Sequence, residues 1–205
     1  MKYDRLQETL RYITPGLYLL ALILLIHFED IMKDDSIKGT ITQFSAIFIV
    51  LLPFVGFVLG YFIECLMTLF ERLLYCFRLS RPSRIILHGK SKAYSLSEDL
   101  RKAILKGADV NDNETANRYQ QAAKQIVGSN DVVIRHYYQS IMSRHILGAQ
   151  LIASIYYLAF AGGWSWFNLL YSAILIALLL YFWYHQNCVY MKYLFAEYGK
   201  KLLNR

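Results

Sequence analysis

Residues 146–191 read ILGAQLIASIYYLAFAGGWSWFNLLYSAILIALLLYFWYHQNCVYM, a run of 46 residues that contains no Lys, Arg, Asp or Glu. A helix rises about 1.5 Å per residue, so about 20 apolar residues cross the roughly 30 Å hydrocarbon core of a bilayer. This run is too long for one membrane span and long enough for two. Gly162-Gly163, followed by Trp164 and Trp166, places a flexible break with interfacial aromatic residues inside it. We therefore predict a tight hairpin of two transmembrane helices.

Two more uncharged runs precede the hairpin, Tyr12 to Phe28 with 17 residues and Gly39 to Ile63 with 25. Each has the length of about 17 to 25 residues that a spanning helix needs. Thr14-Pro15-Gly16 predicts the start of the first helix, because Pro costs no hydrogen bond in a helix's first turn. Since 56% of all residues are hydrophobic and most of them fall in these runs, we predict an all-α integral membrane protein with four transmembrane helices.

The distribution of Lys and Arg predicts the orientation in the membrane. The loop at 29–41 has two Lys against four acidic residues, and the hairpin loop has no charge. The other 20 of the 22 basic residues lie in the two tails and the central segment, and cytoplasmic loops are enriched in such residues. We predict both termini and the central segment in the cytoplasm, with the protein in the inner (plasma) membrane. The net charge of +7 then reflects topology and attraction to the lipid bilayer, so no DNA partner is expected.

This topology divides the chain into three parts. Residues 1–77 hold the amino-terminal tail and spans 1 and 2, 78–143 form a helical cytoplasmic insert, and 144–205 hold spans 3 and 4 with a cytoplasmic carboxy-terminal helix. Within the insert, Asn111-Asp112-Asn113 and Ser129-Asn130-Asp131 predict the starts of two helices, since Asn, Asp and Ser are preferred N-caps. The segment from Arg84 to Leu87 predicts a short strand.

A stripe of special residues runs along the second span. Its members are Pro53, Gly56, Gly60, Glu64 and Thr68. The spacing of four from Gly56 onwards puts these residues on one helix face, and glycines at this spacing allow a neighbouring helix to approach closely. One interpretation is a packing groove, within a protomer or between protomers. The other is an aqueous path or pore lined by Glu64, because an ionisable group at membrane depth is costly unless it is paired or hydrated.

Arg81, Arg84 and His88 form the second candidate group, as a contact for a cytoplasmic protein or RNA–protein partner. An Arg-x4–6-His spacing is used by the HEPN ribonucleases, and Arg81 and His88 are separated by six residues. Here Pro82 lies in the interval and Gly89 follows it. No Gly-rich phosphate loop, serine elbow, His-Glu-x-x-His or paired-carboxylate motif is present, and no Cys-x-x-Cys pair. We therefore expect no enzymatic activity, no cofactor and no metal site.

The organisation resembles that of small membrane accessory or effector proteins of prokaryotic antiphage defence, including those that accompany type VI RNA-guided CRISPR nucleases. The resemblance lies in four short spans within about 200 residues, a basic cytoplasmic insert and the Arg81–His88 spacing. It implies a homo-oligomer that permeabilises the membrane when a cytoplasmic partner signals. Two alternatives stay open: a structural or adaptor subunit of a membrane complex, and a membrane-anchored RNA-binding protein or ribonuclease.

Overall fold

The computed structural model describes residues 2–76, 81–89, 91, 93–106, 110, 112–127, 130–161 and 165–204. Across these residues the chain is helical and has no strand, which confirms the all-α prediction. The helices are α1 (Lys2–Ile26), α2 (Phe28–Lys33), α3 (Asp35–Gln43), α4 (Ser45–Cys76), α5 (Pro82–His88), α6 (Glu98–Leu105), α7 (Asn113–Val127), α8 (Asp131–Tyr156) and α9 (Trp166–Leu203), with a π-helical turn at Tyr157–Ala161 after α8.

Three of the described helices are long and apolar enough to cross a membrane. They are the segments Thr9–Ile26 of α1, Ser45–Tyr75 of α4 and Trp166–Leu203 of α9. The remaining predicted span falls on the second half of α8. There the regular helix ends at Tyr156, 12 residues after Arg144, so the uncharged stretch of α8 is shorter than the other three. The predicted break at Gly162-Gly163 lies outside the described residues.

Two predicted starts of spans differ from the structure. The first helix begins at Lys2 rather than at Thr14, so Pro15 lies inside α1. The second apolar run begins at Gly39, but that residue belongs to α3, and α4 begins only at Ser45. Phe44, whose φ of −106° and ψ of 15° depart from the helical values, separates the two helices. The loop predicted at 29–41 is therefore folded into α2 and the first part of α3.

The chain folds into two compact units. The first unit contains residues 1–70 and 142–180, and the second contains 71–141 and 181–205. The first unit includes α1, α2 and α3, together with residues 45–70 of α4, 142–156 of α8 and 166–180 of α9. The second unit includes α5, α6 and α7 together with the remaining parts of α4, α8 and α9.

Glycines allow α1 and α4 to touch in the first unit. A Cβ on Gly60 would overlap the carbonyl oxygen of Tyr12, and a Cβ on Gly16 would overlap that of Gly56. Gly148 of α8 is similarly close to Met67 of α4. Small residues at such crossings let helix backbones approach closely, which increases van der Waals contact in a bilayer where no hydrophobic force brings helices together.

The second unit has a hydrophobic core of its own, to which its helices contribute buried side chains. The fully buried members include Ile86, Ala123, Val127, Leu194 and Phe195.

The predicted strand from Arg84 to Leu87 is wrong, because these residues lie in α5. This short helix begins with Pro82 at its first position. It ends after His88 at Gly89, which has the left-handed conformation with φ of 70°.

Both helix starts predicted in the insert are confirmed. Asp112 precedes α7 and its carboxylate accepts from the Thr115 amide at 2.6 Å. This hydrogen bond lowers the pKa of Asp112, so the cap is intact above the ordinary Asp pKa and is lost as the pH falls through the lowered value. Asn130 precedes α8 and accepts from the amides of Val132 and Val133 at 3.0 and 3.3 Å.

Candidate functional site

The first unit contains a cluster of four ionisable side chains that we call the Glu64 cluster. It consists of Arg11 from α1, Glu64 from α4, and Arg144 and His145 from α8. An Arg11 guanidinium nitrogen lies 3.2 Å from Glu64 Oε1, and Arg144 donates to the same oxygen. His145 Nε2 contacts the second oxygen, Oε2. His145 is 0% exposed, and the other three side chains are 14 to 18% exposed. One carboxylate thus connects three helices.

Pro15 explains why His145 also binds the backbone of α1. In a regular helix the amide of residue 15 would donate to the carbonyl of Arg11, but proline has no N–H. The carbonyl of Arg11 is therefore left without its usual helical donor. His145 Nδ1 lies 3.2 Å from this oxygen, so the imidazole takes the place of the missing amide. A proline inside a spanning helix is tolerated when a neighbouring helix satisfies the freed carbonyl in this way.

The two contacts of His145 determine how many protons the cluster holds. A carbonyl oxygen can only accept, so Nδ1 must carry a hydrogen toward Arg11. The contact between Nε2 and Glu64 then needs a second hydrogen, carried either by the imidazole or by the carboxyl group. In either form the His145–Glu64 pair is neutral overall. The positively charged groups of Arg11 and Arg144 both lie beside the Glu64 oxygen Oε1.

Such a cluster is costly to form in a lipid environment. Removing charged groups from water costs several kcal/mol per ion, which close pairing offsets only when the geometry is good. Ionisable groups inside membrane spans are for that reason rare and are found paired, often at functional positions. Glu64 and Arg11 lie within two of the segments that can span a membrane. We therefore regard the Glu64 cluster as the candidate functional site.

The structure places each member of the predicted stripe of α4. Gly56 and Gly60 pack against α1 of the same chain, and Glu64 joins the cluster one turn further on. The hydroxyl of Thr68 donates to the carbonyl of Glu64 at 2.8 Å. Pro53 is exposed on α4. The glycine face is therefore occupied within the protomer.

The second predicted group lies in the second unit. Arg81 is the N-cap of α5, and its guanidinium carbon lies 4.9 Å from the centre of the Tyr75 ring. Arg84 and His88 lie one helical turn apart on α5, and the His88 carbonyl accepts from Arg101 at 3.2 Å. All three side chains are half-buried. The two predicted groups thus belong to different units.

Sequence reasoning selected Glu64 but not its partners. A usable signal was present, because Arg11 directly precedes the first uncharged run, Glu64 directly follows the second and Arg144-His145 directly precede the third. The predicted topology puts all three of these positions at the cytoplasmic ends of spans. Opposite charges at matching depths are expected to pair, so the topology pointed to Arg11, Arg144 and His145 as candidate partners of Glu64 without specifying which contacts form.

No group of three or more His, Cys, Asp or Glu side chains that could hold a metal ion occurs among the described residues. No family model, no curated protein and no solved structure matches this chain. The resemblance to antiphage membrane proteins stays a prediction.

Proposed function

We propose that this chain is a non-enzymatic, multi-pass protein of the inner (plasma) membrane that permeabilises the bilayer when a cytoplasmic partner engages its second unit. The Glu64 cluster acts as a latch that holds the permeation path closed. The observation that carries this proposal is the burial of one carboxylate, two guanidinium groups and an imidazole between three helices, of which two can span a membrane.

The proposal includes a fourth span formed by the second half of α8 and the π-helical turn. The Tyr18 hydroxyl of α1 donates to Gln150 at 3.2 Å, and His27 Nε2 lies 2.6 Å from the Tyr156 hydroxyl. Together with the contact between His145 and the Arg11 carbonyl, these contacts keep residues 144 to 156 of α8 beside α1. Helix α1 is itself a candidate span. A polypeptide segment that runs beside a spanning helix over most of its length shares its lipid environment.

Charge supports the cytoplasmic location of the second unit. It contains 16 basic and 8 acidic residues, so its formal net charge is +8, whereas the first unit has 6 basic and 7 acidic residues and a net charge of −1. Positive residues are retained on the cytoplasmic side of membrane proteins and attract anionic lipids or anionic partners there. With this orientation the amino-terminal and carboxy-terminal tails are both cytoplasmic.

The latch is tested by replacing His145 with Gln. Glutamine cannot bridge the Arg11 carbonyl and Glu64 as the imidazole does, so we expect the closed state to lose stability. A loss of about 1 to 3 kcal/mol would shift the equilibrium toward the leaky state roughly 5- to 150-fold. Ion release from proteoliposomes, followed with an enclosed ion-sensitive dye, measures the effect.

His136→Gln is the matched control, since His136 stacks on Tyr193 in the second unit, with ring centres 4.2 Å apart. We expect this variant to leak no more than the wild type. A His145→Gln protein that keeps its helical content and still releases ions at the wild-type rate would contradict the latch.

An adaptor role is the second candidate, and it is favoured by the engagement of Gly56, Gly60 and Glu64 within one protomer. A second unit with its own hydrophobic core and a net charge of +8 could bind a protein or RNA–protein partner without any permeation. Purification at native expression should then return a stoichiometric partner, and proteoliposomes of the complex should hold their ions. Recovery of the chain alone, as a homo-oligomer that leaks, would exclude the adaptor role.

A further inference from the structure

The second unit contains a cavity of about 200 Å³ between three of its helices, which we call the Lys124 cleft. Helix α7 contributes Lys124, α8 contributes Val133, Ile134 and Tyr137, and α9 contributes Tyr190 and Leu194. The residues from α8 and those from α9 are three or four positions apart, so each helix presents one face to the cleft. All of these residues belong to the second unit, so the cleft is formed within it.

The Lys124 cleft has an apolar floor and a charged rim. Val133, Tyr190 and Leu194 are 3%, 5% and 0% exposed, so they form the floor. Lys124 is exposed at the rim and is the one charged residue in the lining. A ligand that enters the cleft from solvent therefore meets a single ammonium group above a buried apolar surface.

The Lys124 ammonium group has an aromatic neighbour but no anionic one in direct contact. Its nitrogen lies 5.8 Å from the centre of the Tyr137 ring, within the range of a cation–π contact. Among the residues that the structure describes, Lys124 donates no hydrogen bond and forms no salt bridge, and Glu71 acts on it only as a more distant charge. Desolvation lowers the pKa of Lys124, because the ammonium group loses water without gaining a bound anion.

The charge and the wall of the cleft together select a class of ligand. A single ammonium group matches a single negative charge, whereas a doubly charged phosphate would keep one charge uncompensated near Glu71. The rings of Tyr137 and Tyr190, with centres 5.4 Å apart and planes at 52°, offer faces and edges to an apolar or aromatic group. The volume is below that of pockets for drug-sized ligands, which measure about 300 to 1,000 Å³. The occupant must therefore be small.

We propose that the Lys124 cleft binds a small organic carboxylate with an apolar, preferably aromatic, body. The carboxylate accepts a hydrogen bond from the Lys124 ammonium group, and the body packs between Tyr137 and Tyr190 above Leu194. Such a charge-assisted hydrogen bond is about twice as strong as one between neutral groups. The cleft lies in the second unit and does not depend on the latch at Glu64, so either proposal can fail without the other.

The test measures binding of fluorophenylpropionate and of its uncharged amide to the full-length protein in detergent, by fluorine NMR with empty micelles as the baseline. We expect the carboxylate to bind roughly tenfold more tightly than the amide, a ratio equivalent to about 1.4 kcal/mol. Lys124→Met should reduce the affinity for the carboxylate to that for the amide, and Lys124→Arg should retain most of it. Ile134→Trp, which fills the cleft, should abolish the binding of both probes.

Lys102→Met is the matched control, because Lys102 belongs to the same unit, is 71% exposed and pairs with Glu98 at 3.0 Å. This variant removes the same charge outside the cleft and should bind both probes as the wild type does. The site would be overturned by equal affinities for the two probes, or by carboxylate binding that Lys124→Met does not weaken. Carboxylate binding no greater than that of empty micelles would overturn it as well.

Discussion

Glu64→Gln is expected to destabilise the first unit by about 3 to 5 kcal/mol, the cost typical of removing one partner from a buried ion pair. The substitution keeps the size of the side chain but replaces the carboxyl group that Arg11 and Arg144 share with an amide. Two guanidinium groups with 14 to 15% exposure then face each other across a neutral amide. The melting temperature of the purified protein in detergent should fall by roughly 10 °C.

The matched control is Glu29→Gln. Glu29 is 85% exposed and pairs with Lys33 at 3.3 Å, so its removal should change stability by less than about 0.5 kcal/mol. Combining Glu64→Gln with Arg144→Met should recover part of the loss, since the double variant removes one of the uncompensated charges. A Glu64→Gln protein as stable as the control would show that the cluster does not hold the three helices together.

Gly60→Ala is expected to destabilise the contact between α1 and α4 by about 3 kcal/mol, at the upper end of the cost of overpacking. The new Cβ would overlap the carbonyl oxygen of Tyr12, which belongs to the backbone and cannot move aside as a flexible side chain could. The helices must then separate, and Glu64 one turn away must move relative to Arg11. Thermal unfolding in detergent, followed by circular dichroism, measures the loss.

Gly39→Ala is the control, and we expect it to raise the stability of the protein rather than lower it. No atom lies within 4 Å of the Cβ that would be added to Gly39 in α3, and replacing a helical glycine by alanine stabilises by about 0.5 to 1 kcal/mol.

Size-exclusion chromatography separates the two interpretations of the glycine stripe. If the stripe packed between protomers, Gly60→Ala would change the oligomer size and leave the stability of each protomer unaltered.

Much of the fold was predictable because it depends on local pattern. Long uncharged runs predict apolar helices, and the caps at Asp112 and Asn130 depend on side chains bonding to amides two or three residues away. The predictions of secondary structure were wrong where one local sequence signal is compatible with two different structures. Pro15 suits a first turn but is also accepted inside α1, where His145 satisfies the freed carbonyl. The β-branched residues Ile85 and Ile86 suit a strand, yet Pro82 and Gly89 delimit a helix.

The sequence by itself determined that this chain is helical and apolar enough to enter a membrane, and it singled out Glu64 and the glycines of α4. Only the tertiary structure decided what those residues do. Arg11 and Arg144 are 53 and 80 positions from Glu64 in the chain, and no periodicity specifies which of many charges meet across helices. Close packing of α1 against α4 at Gly16 and Gly60 brings Arg11 to Glu64, and close packing of α8 against α4 at Gly148 brings Arg144 there.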